Sequence, residues 1–213
     1  MYLIDQTYFI KELSIPNLNE MDSDTLTTLN IDIDKYVRLV LQNALGYELF
    51  KDLDSNITSG VLDSGADQKW KDLVNGVEYT KDGKTYRWKG LIFTEGNYKG
   101  SLLAKYVYYY WLKDSISLLT GTGEKTITAS NMEAVNSNQR LVSVWNDFVM
   151  DYQSDVCYSN YGNRFIHNGV LVTDWFGGID AHFVSLIQFL TDKDADYPNS
   201  AKMLYNNQNQ LGL

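Results

Sequence analysis

Residues 102–119 constrain the fold of this chain most, because the helix that they predict is apolar or aromatic on almost every side. A helix of this kind needs packing partners all round. Residues 134–156 predict a second helix, whose apolar residues recur at three- and four-residue steps. They are Leu141, Val142, Trp145, Phe148, Val149 and Tyr152. We expect this amphipathic stripe to pack on the first helix.

Further helices are predicted on both sides of this pair. Ser23 or Asp24 is the expected N-cap of a long helix whose apolar face continues to Gly46, where the chain bends or the helix ends. Residues 66–74 predict a short helix closed by a glycine. Residues 179–190 predict the last helix, because their apolar residues again form one stripe.

Two β-hairpins are predicted, near residues 77–89 and 164–175. Each has a two-residue turn between alternating segments, Asp82-Gly83 in the first and Asn168-Gly169 in the second. A two-residue hairpin turn of this kind requires positive φ at both residues, and Asp-Gly and Asn-Gly pairs adopt this conformation readily. We expect the hairpins to project as two-stranded ribbons, whose edges can pair with a neighbouring sheet.

Two segments have little to bury. Residues 120–132, between the two central helices, form a connection longer than antiparallel packing requires, which indicates a contact outside the subunit. The tail of residues 198–213 is largely polar and uncharged, so we expect it to be disordered alone and to order along an adjacent subunit. Its deletion would then leave the melting temperature nearly unchanged while weakening assembly.

The charge and the aromatic content bound the function. A formal net charge of -9 argues against a protein that grips the nucleic-acid backbone, because that requires clustered Lys and Arg. An acidic wall can still surround DNA, since it repels a polyanion and lets it slide. The chain has 16 Tyr and 5 Trp, which suit subunit interfaces, although a tyrosine-rich core has the same composition.

The cysteine count and the hydropathy indicate a compartment. The single cysteine, Cys157, excludes an intrachain disulfide and fits a reducing environment. No apolar run reaches the ~20 residues that a membrane span needs. The sequence from Met1 to Asp5 lacks the basic region of a signal peptide. We therefore expect a protein made and used in a cytosol, or in a particle assembled there, with no membrane partner.

Residues 120–126, with the sequence TGTGEKT, are similar to a phosphate-binding loop. A Walker A loop places lysine directly after its second glycine and follows a buried strand. In this chain Glu124 separates Gly123 from Lys125, and the preceding segment is predicted to be helical. A carboxylate in a phosphate cradle would repel the ligand. We expect no nucleotide or other cofactor.

The acidic run that begins at Asp192 starts like a calcium loop. Tyr197 and Met203 occupy the positions where that loop needs glycine and glutamate, so a solvated acidic turn is the better interpretation. His167, His182 and the cysteine are far apart in sequence and have no metal-ligand spacing. A Ser-His-Asp triad stays open, because its members need not be adjacent, but no Gly-x-Ser-x-Gly motif supports one. We predict no catalytic, cofactor-binding or metal-binding residues.

Three stretches carry a resemblance to a known family. The first runs from Asp34-Lys35-Tyr36-Val37 to Leu45-Gly46-Tyr47-Glu48-Leu49-Phe50, the second is Tyr106-Val107-Tyr108-Tyr109-Tyr110-Trp111-Leu112 with Thr120-Gly121-Thr122-Gly123, and the third is Ala134-Val135-Asn136 with Arg140-Leu141-Val142 and Trp145-Asn146. Together they span about half of the chain and consist of packing residues and loops. In these stretches the sequence resembles the neck or ring proteins that join portal to tail in tailed bacteriophages, particularly in crAss-like phages.

The resemblance implies a structural virion protein and no enzyme. It implies a mostly helical subunit that forms a ring, commonly of twelve copies, stacked on the portal protein or on a neighbouring neck or tail ring protein. The genome would pass through this ring without specific binding. The protein would be located in the neck or tail of the virion and assembled in the cytoplasm of the bacterial host.

Two alternatives stay open. A phage-encoded adaptor that binds another protein would have one aromatic patch and would not self-associate. A small intracellular hydrolase with a dispersed site would have a deep pocket where His167 or His182 meets Cys157, a serine or a carboxylate.

The sequence therefore predicts a mainly α fold, with a helical bundle core, two small β-hairpins and an extended C-terminal tail. Residues 1–197 form a single connector domain in this prediction, and residues 198–213 form the tail. The expected assembly contacts are Thr122, Gly123, Glu124, Lys125, Thr126, Asp82, Gly83, Asn168, Gly169 and Tyr205.

Overall fold

The structure is a computed structural model, and it is mainly helical with several small hairpins. It describes residues 2–16, 18–96, 98–120, 123–126, 137–153, 166–167, 170–171 and 181–208. The helices are α1 (Ser23–Leu45), α2 (Tyr47–Ser55), α3 (Gln68–Asn75), α4 (Leu102–Ile116), α5 (Ser137–Gln153) and α6 (Leu186–Asp192). Three 3₁₀ turns, Gln6–Tyr8, Lys11–Leu13 and Leu18–Glu20, precede them.

The strands are short and mostly paired within hairpins. They are β1 (Ile57–Thr58), β2 (Val61–Leu62), β3 (Val77–Lys81), β4 (Lys84–Trp88), β5 (Ile92–Glu95), β6 (Tyr98–Ser101), β7 (Ser117–Thr120), β8 (Gly123–Thr126), β9 (Ile166–His167), β10 (Val170–Leu171) and β11 (Ala181–Phe183). In the part of the chain that is described, no helix is both long and apolar enough to cross a membrane.

The long helix α1 is capped at both ends. Asp22 is its N-cap, one residue before the first predicted position, and its carboxylate accepts hydrogen bonds from the amides of Asp24 and Thr25 at 3.0 and 2.9 Å. Gly46 ends the helix as predicted, with φ of +81°, a conformation that glycine adopts without strain. The helix α2 begins directly after this glycine.

The predicted packing of the two central helices is confirmed. Between α4 and α5, the rings of Tyr106 and Phe148 have centroids 4.9 Å apart, and those of Tyr109 and Trp145 are 4.5 Å apart. The helix α1 covers another side of α4, where Tyr36 stacks on Tyr110 at 4.5 Å with an interplanar angle of 12°. The nearly uniform apolar surface of α4 is thus explained by partners on more than one side.

The prediction that this first helix continues to residue 119 is wrong. The helix α4 ends at Ile116, and Ser117–Thr120 forms the strand β7, which pairs antiparallel with Gly123–Thr126 in β8. The described residues of the segment TGTGEKT, Thr120 and Gly123–Thr126, therefore belong to the hairpin β7–β8. Threonine prefers strands and glycine disfavours helix continuation, so local preference ends the helix early.

The first predicted hairpin is confirmed, with positive φ at Asp82 and Gly83. It does not project as a free ribbon, because β11 adds to β4 in parallel and makes a three-stranded sheet in the order β11-β4-β3. The helix α6 covers one side of this sheet, where the Phe189 ring lies 5.6 Å from Trp88 and 5.9 Å from Tyr79. These aromatic contacts hold the hairpin to the body of the protein.

The last predicted helix is shorter than expected. It begins at Leu186 after the N-cap Ser185, whereas Ala181–Phe183 is the strand β11 and includes His182. The pairing of β9 with β10 agrees with the second predicted hairpin, although its turn, Asn168-Gly169, lies outside the described residues. The hairpins β1–β2 and β5–β6 lie where only loops were expected.

Within the described part of the tail, residues 200–208 are extended and packed on their own chain, so the expectation that this part is disordered alone is wrong. The amides of Lys202 and Met203 donate to the carbonyls of Ala44 and Asn43 at the end of α1, both at 2.9 Å. The Tyr205 ring packs 5.0 Å from Tyr152. Residues 199–208 therefore belong to the folded body of their own subunit.

Candidate assembly surfaces

The predicted assembly contacts do not form one surface. Asp82 and Gly83 lie at the exposed tip of the hairpin β3–β4, and Gly123–Thr126 is the backbone strand β8. Tyr205 instead lies against the aromatic core of its own chain. Thr122 and the Asn168-Gly169 turn lie outside the described residues.

Most of the large apolar side chains that the structure exposes fall into two separate places. One group lies near the C-terminal end of α1, at the first residue of α2 and on the adjoining tail, and we call it the α1-tail patch: Leu39, Tyr47, Met203 and Leu204. The second group, Tyr2 and Val61, lines a cleft near the N-terminus of the chain. Apolar groups concentrated in this way typically mark interaction sites.

Three of the four side chains of the α1-tail patch are more than half exposed. Tyr47 is 66% exposed, Met203 is 55% exposed and Leu204 is 69% exposed. The backbone bond from Met203 to Asn43 places the tail one turn beyond Leu39 on α1. At Gly46, directly before Tyr47, an added Cβ would lie 3.6 Å from the Cβ of Ala201, so the tail also contacts this end of the helix.

The α1-tail patch is held firmly, because side-chain amides of α5 bind the main chain of the tail. Gln153 accepts the Tyr205 amide at 2.7 Å and donates to the Tyr205 carbonyl at 2.6 Å. Asn146 makes the same pair of bonds with Gln208, at 2.9 and 3.0 Å. Trp145 Nε1 donates to the Asn206 carbonyl at 2.7 Å.

The Tyr205 ring anchors this part of the tail. It packs 5.3 Å from Phe148 and 5.6 Å from Trp145, and its hydroxyl accepts a hydrogen bond from Asn43 Nδ2 at 2.7 Å. With Tyr205 turned inward, the two preceding apolar residues remain outside. The tail thus presents Met203 and Leu204 on a rigid support, which lowers the entropy cost of binding.

The cleft has a volume of about 630 Å³. It is lined by the N-terminal segment, Asn30 of α1, the hairpin β1–β2, the helix α3 and the hairpin β5–β6. Its apolar lining comes from Leu3, Ile4, Leu62, Val74 and Ile92, most of which are buried. Tyr2 and Val61 are 42% and 67% exposed, so they form its lip.

The N-terminal segment is fixed against the hairpin. The Leu3 amide donates to the Gly60 carbonyl at 3.0 Å, and a Cβ at Gly60 would lie 3.1 Å from the Cβ of Tyr2. Gly60 has φ of +83°, which glycine alone adopts readily. The close approach of these two segments builds one wall of the cleft.

The polar groups of the cleft have both signs of charge. Lys99 Nζ donates to Thr7 Oγ1 at 2.6 Å, and Asp5 accepts the Thr7 amide at 2.8 Å. Burial, and then the Asp5 carboxylate, raise the pKa of Tyr8, so its hydroxyl stays a hydrogen-bond donor at neutral pH. Lys71 is half-buried and has no ion-pair partner among the described residues.

The residues that line the cleft carry several kinds of polar group. Its lining residues include neither His167 nor His182, which a dispersed hydrolase site would bring together with a nucleophile. The described residues contain no group of three or more His, Cys, Asp or Glu placed to hold a metal ion. The available groups are lysine ammonium, carboxylate, amide and hydroxyl around an apolar lining.

The two surfaces are well separated on the molecule. Asn30 lines the cleft, and Asn43 receives the tail, so α1 places them about 20 Å apart at 1.5 Å per residue. The cleft therefore lies beside the N-terminal half of α1, and the α1-tail patch lies near its C-terminal end.

Sequence reasoning missed both surfaces. The one local signal was the run Met203-Leu204-Tyr205, three apolar residues in succession within a segment interpreted as polar. The cleft had no local signal, because its lining comes from five separate segments. No protein-family model matches the chain, and no curated protein and no solved structure is significantly similar to it.

Proposed function

We propose that this protein is a structural subunit that forms a ring in the neck of a tailed bacteriophage, between the portal and the tail. The observation that carries the proposal is the pair of separate apolar surfaces on one subunit, the α1-tail patch and the cleft. A ring subunit needs two different surfaces, because each copy contacts one neighbour on each side.

The interior of the subunit suits this role. We infer that α1, α4 and α5 make the core of a helical bundle, since Tyr106 contacts both Tyr36 and Phe148. A packed core with many aromatic contacts gives a rigid body, and rigid bodies stack into rings without a large entropy cost.

The charge of the chain supports a role around DNA. A net charge of -9 gives a ring of twelve copies a strongly acidic total, which repels the phosphate backbone and allows the genome to slide. In this proposal the DNA passes through without specific contacts. The partners are other copies of the chain, the portal protein and the neighbouring neck or tail ring protein, within the virion.

The test is direct imaging of the full-length protein, alone and with its portal protein. We expect closed rings in negative-stain images and a single oligomer mass by light scattering. A chain that stays monomeric and does not bind the portal contradicts the proposal. Tight binding to one different protein without self-association would instead favour an adaptor.

A further inference from the structure

We infer that the α1-tail patch of one copy docks into the cleft of the next copy around the ring. This inference rests on the proposed function and assigns the two faces of its subunit interface. The occupant of the cleft is a second copy of the chain, and the docking group is Met203 with Leu204.

The cleft is large enough to receive the exposed side chains. Leu204 and Met203 are more than half exposed, and the cleft is about 630 Å³ in volume. A cavity of roughly 300–1,000 Å³ accommodates a ligand of drug size, so it has room for a few apolar side chains. The half-buried apolar side chains of Leu62 and Ile92 in the cleft would face them.

Symmetry favours contact between unlike surfaces. Pairing of two α1-tail patches would give a closed dimer and leave both clefts empty. Docking of a patch into a cleft leaves one free patch and one free cleft at every step. Subunits therefore add one after another until the ring closes. The two surfaces are about 20 Å apart along α1, so one copy can contact two neighbours at the same time.

The cleft carries Asp5 and Asp63 as well as Lys71 and Lys99, and one pair of opposite charges across the two surfaces suits docking. Glu48 is exposed next to Tyr47, and it has no ion-pair partner in the ranges that the structure describes. Lys71 lies in the cleft, and it too has no ion-pair partner among the described residues. Docking of the patch brings a free carboxylate to a free ammonium group, which favours the correct register of the two subunits.

The deciding experiment uses two full-length variants, Leu204→Asp and Val61→Asp. Both positions are more than half exposed, so each variant should fold with an unchanged melting temperature. Each should be monomeric by size exclusion with light scattering, because one surface of every interface is blocked. An equimolar mixture retains one intact patch and one intact cleft, so we expect a dimer that contains one copy of each.

The control is Gln139→Asp, which adds the same charge at an exposed position of α5 and should leave ring formation unchanged. If Val61→Asp still forms rings, the cleft is not the docking site, although the ring proposal stands. A mixture of the two Asp variants that stays monomeric also overturns the inference. A wild-type chain that is monomeric at all concentrations contradicts both proposals.

Charge reversal gives a second test with a rescue. Glu48→Lys or Lys71→Glu alone should weaken assembly about tenfold, because each places like charges together across the interface. The double variant restores opposite charges at every interface and should recover most of the affinity. If both single variants fold but the double variant does not regain its assembly affinity, Glu48 and Lys71 do not face each other, and the patch makes a different contact.

Discussion

Gln153 and Tyr205 exchange two hydrogen bonds across 52 positions of sequence, at 2.7 and 2.6 Å. The Gln153 side chain occupies the place that a peptide unit of an adjacent strand would take. The tail has no strand partner among the described residues. The Gln153 side chain therefore forms the hydrogen bonds that the Tyr205 amide and carbonyl would otherwise lack. The same arrangement at Asn146 and Gln208 shows that α5 is built to hold an extended segment.

Replacement of Tyr205 by alanine should lower the free energy of unfolding by about 3 kcal/mol. The substitution removes a ring that contacts four aromatic side chains and leaves a cavity between α4 and α5. Urea unfolding measures the change. Leu204→Ala is the matched control, since Leu204 is exposed and its loss should cost less than about 0.5 kcal/mol.

Equal stability of these two alanine variants would mean that the tail does not pack on its own subunit. The structure thereby reverses the expectation drawn from composition, which placed the tail on a neighbour and predicted a melting temperature nearly unchanged by its deletion. Removal of residues 198–213 should now lower the melting temperature, because it uncovers the aromatic cluster around Trp145.

The features that sequence reasoning located are those fixed within a few residues. Gly46 and the Asp82-Gly83 turn were found because positive φ leaves a strong local signal. The stripe of α5 was found because helical periodicity is local too. Ser117–Thr120 was misassigned because leucines next to a helix fit its pattern equally well as helix or strand.

The features that it missed depend on contacts between distant segments. The strand β11 pairs with β4 across almost a hundred positions of sequence. Its own three residues contain no pattern that predicts this partner. The tail is ordered by amide side chains of α5, whose role is invisible until both segments are placed. For the same reason the cleft and the α1-tail patch were beyond prediction, whereas the exposed turn at Asp82-Gly83 was not.

Gly76→Ala should destabilise the protein severely, by more than about 3 kcal/mol. Gly76 has φ of +87°, and an added Cβ would lie 2.6 Å from the Trp88 carbonyl oxygen, where backbone cannot yield easily. Gly65→Ala is the control, because no atom lies within 4 Å of its Cβ. Thermal unfolding compares the two, and similar melting temperatures would contradict the close approach of α3 to the end of β4.

Asp192→Ala should cost about 2–3 kcal/mol of stability. The Asp192 side chain is only 2% exposed, and it accepts bonds from the Tyr79 hydroxyl at 2.6 Å and Lys81 Nζ at 2.7 Å. Loss of the carboxylate leaves the Tyr79 hydroxyl without that acceptor. Asp192→Asn keeps an acceptor oxygen and should cost less. If both variants unfold at the wild-type urea concentration, the link between α6 and the sheet contributes nothing.

Stability should fall steeply above pH 10. Burial raises the pKa of Tyr106, Tyr152 and Tyr197 above the ordinary value of 10.0, and burial together with Asp192 raises that of Tyr79. Above pH 10 the unfolded chain releases these protons and the native chain keeps them. The unfolded state is then favoured by about 1.4 kcal/mol per pH unit for each tyrosine.

Below pH 10 both states keep these protons, so the four tyrosines should cause no pH dependence there. Urea unfolding at a series of pH values measures the slope, and tyrosinate absorbance gives an independent record. We expect the four buried tyrosines to ionise only as the chain unfolds. Reversible ionisation of all 16 tyrosines near pH 10, with the fold intact, would show that these four side chains are open to solvent.

Reversal of the charges at Glu124 and Lys125 should weaken joining to a partner and leave folding intact. The hairpin β7–β8 follows α4 directly, and its strands pair through main-chain bonds, which side-chain charge reversal does not remove. The double variant Glu124→Lys with Lys125→Glu keeps the net charge, so any loss reflects the local pattern. We expect about tenfold weaker binding to the portal protein or to the next copy, with an unchanged melting temperature.

The matched control reverses the charges of Lys11 and Glu12, which are exposed and next to each other in sequence. This variant should bind like the wild type. Wild-type affinity in the hairpin variant would remove residues 122–126 from the assembly contacts.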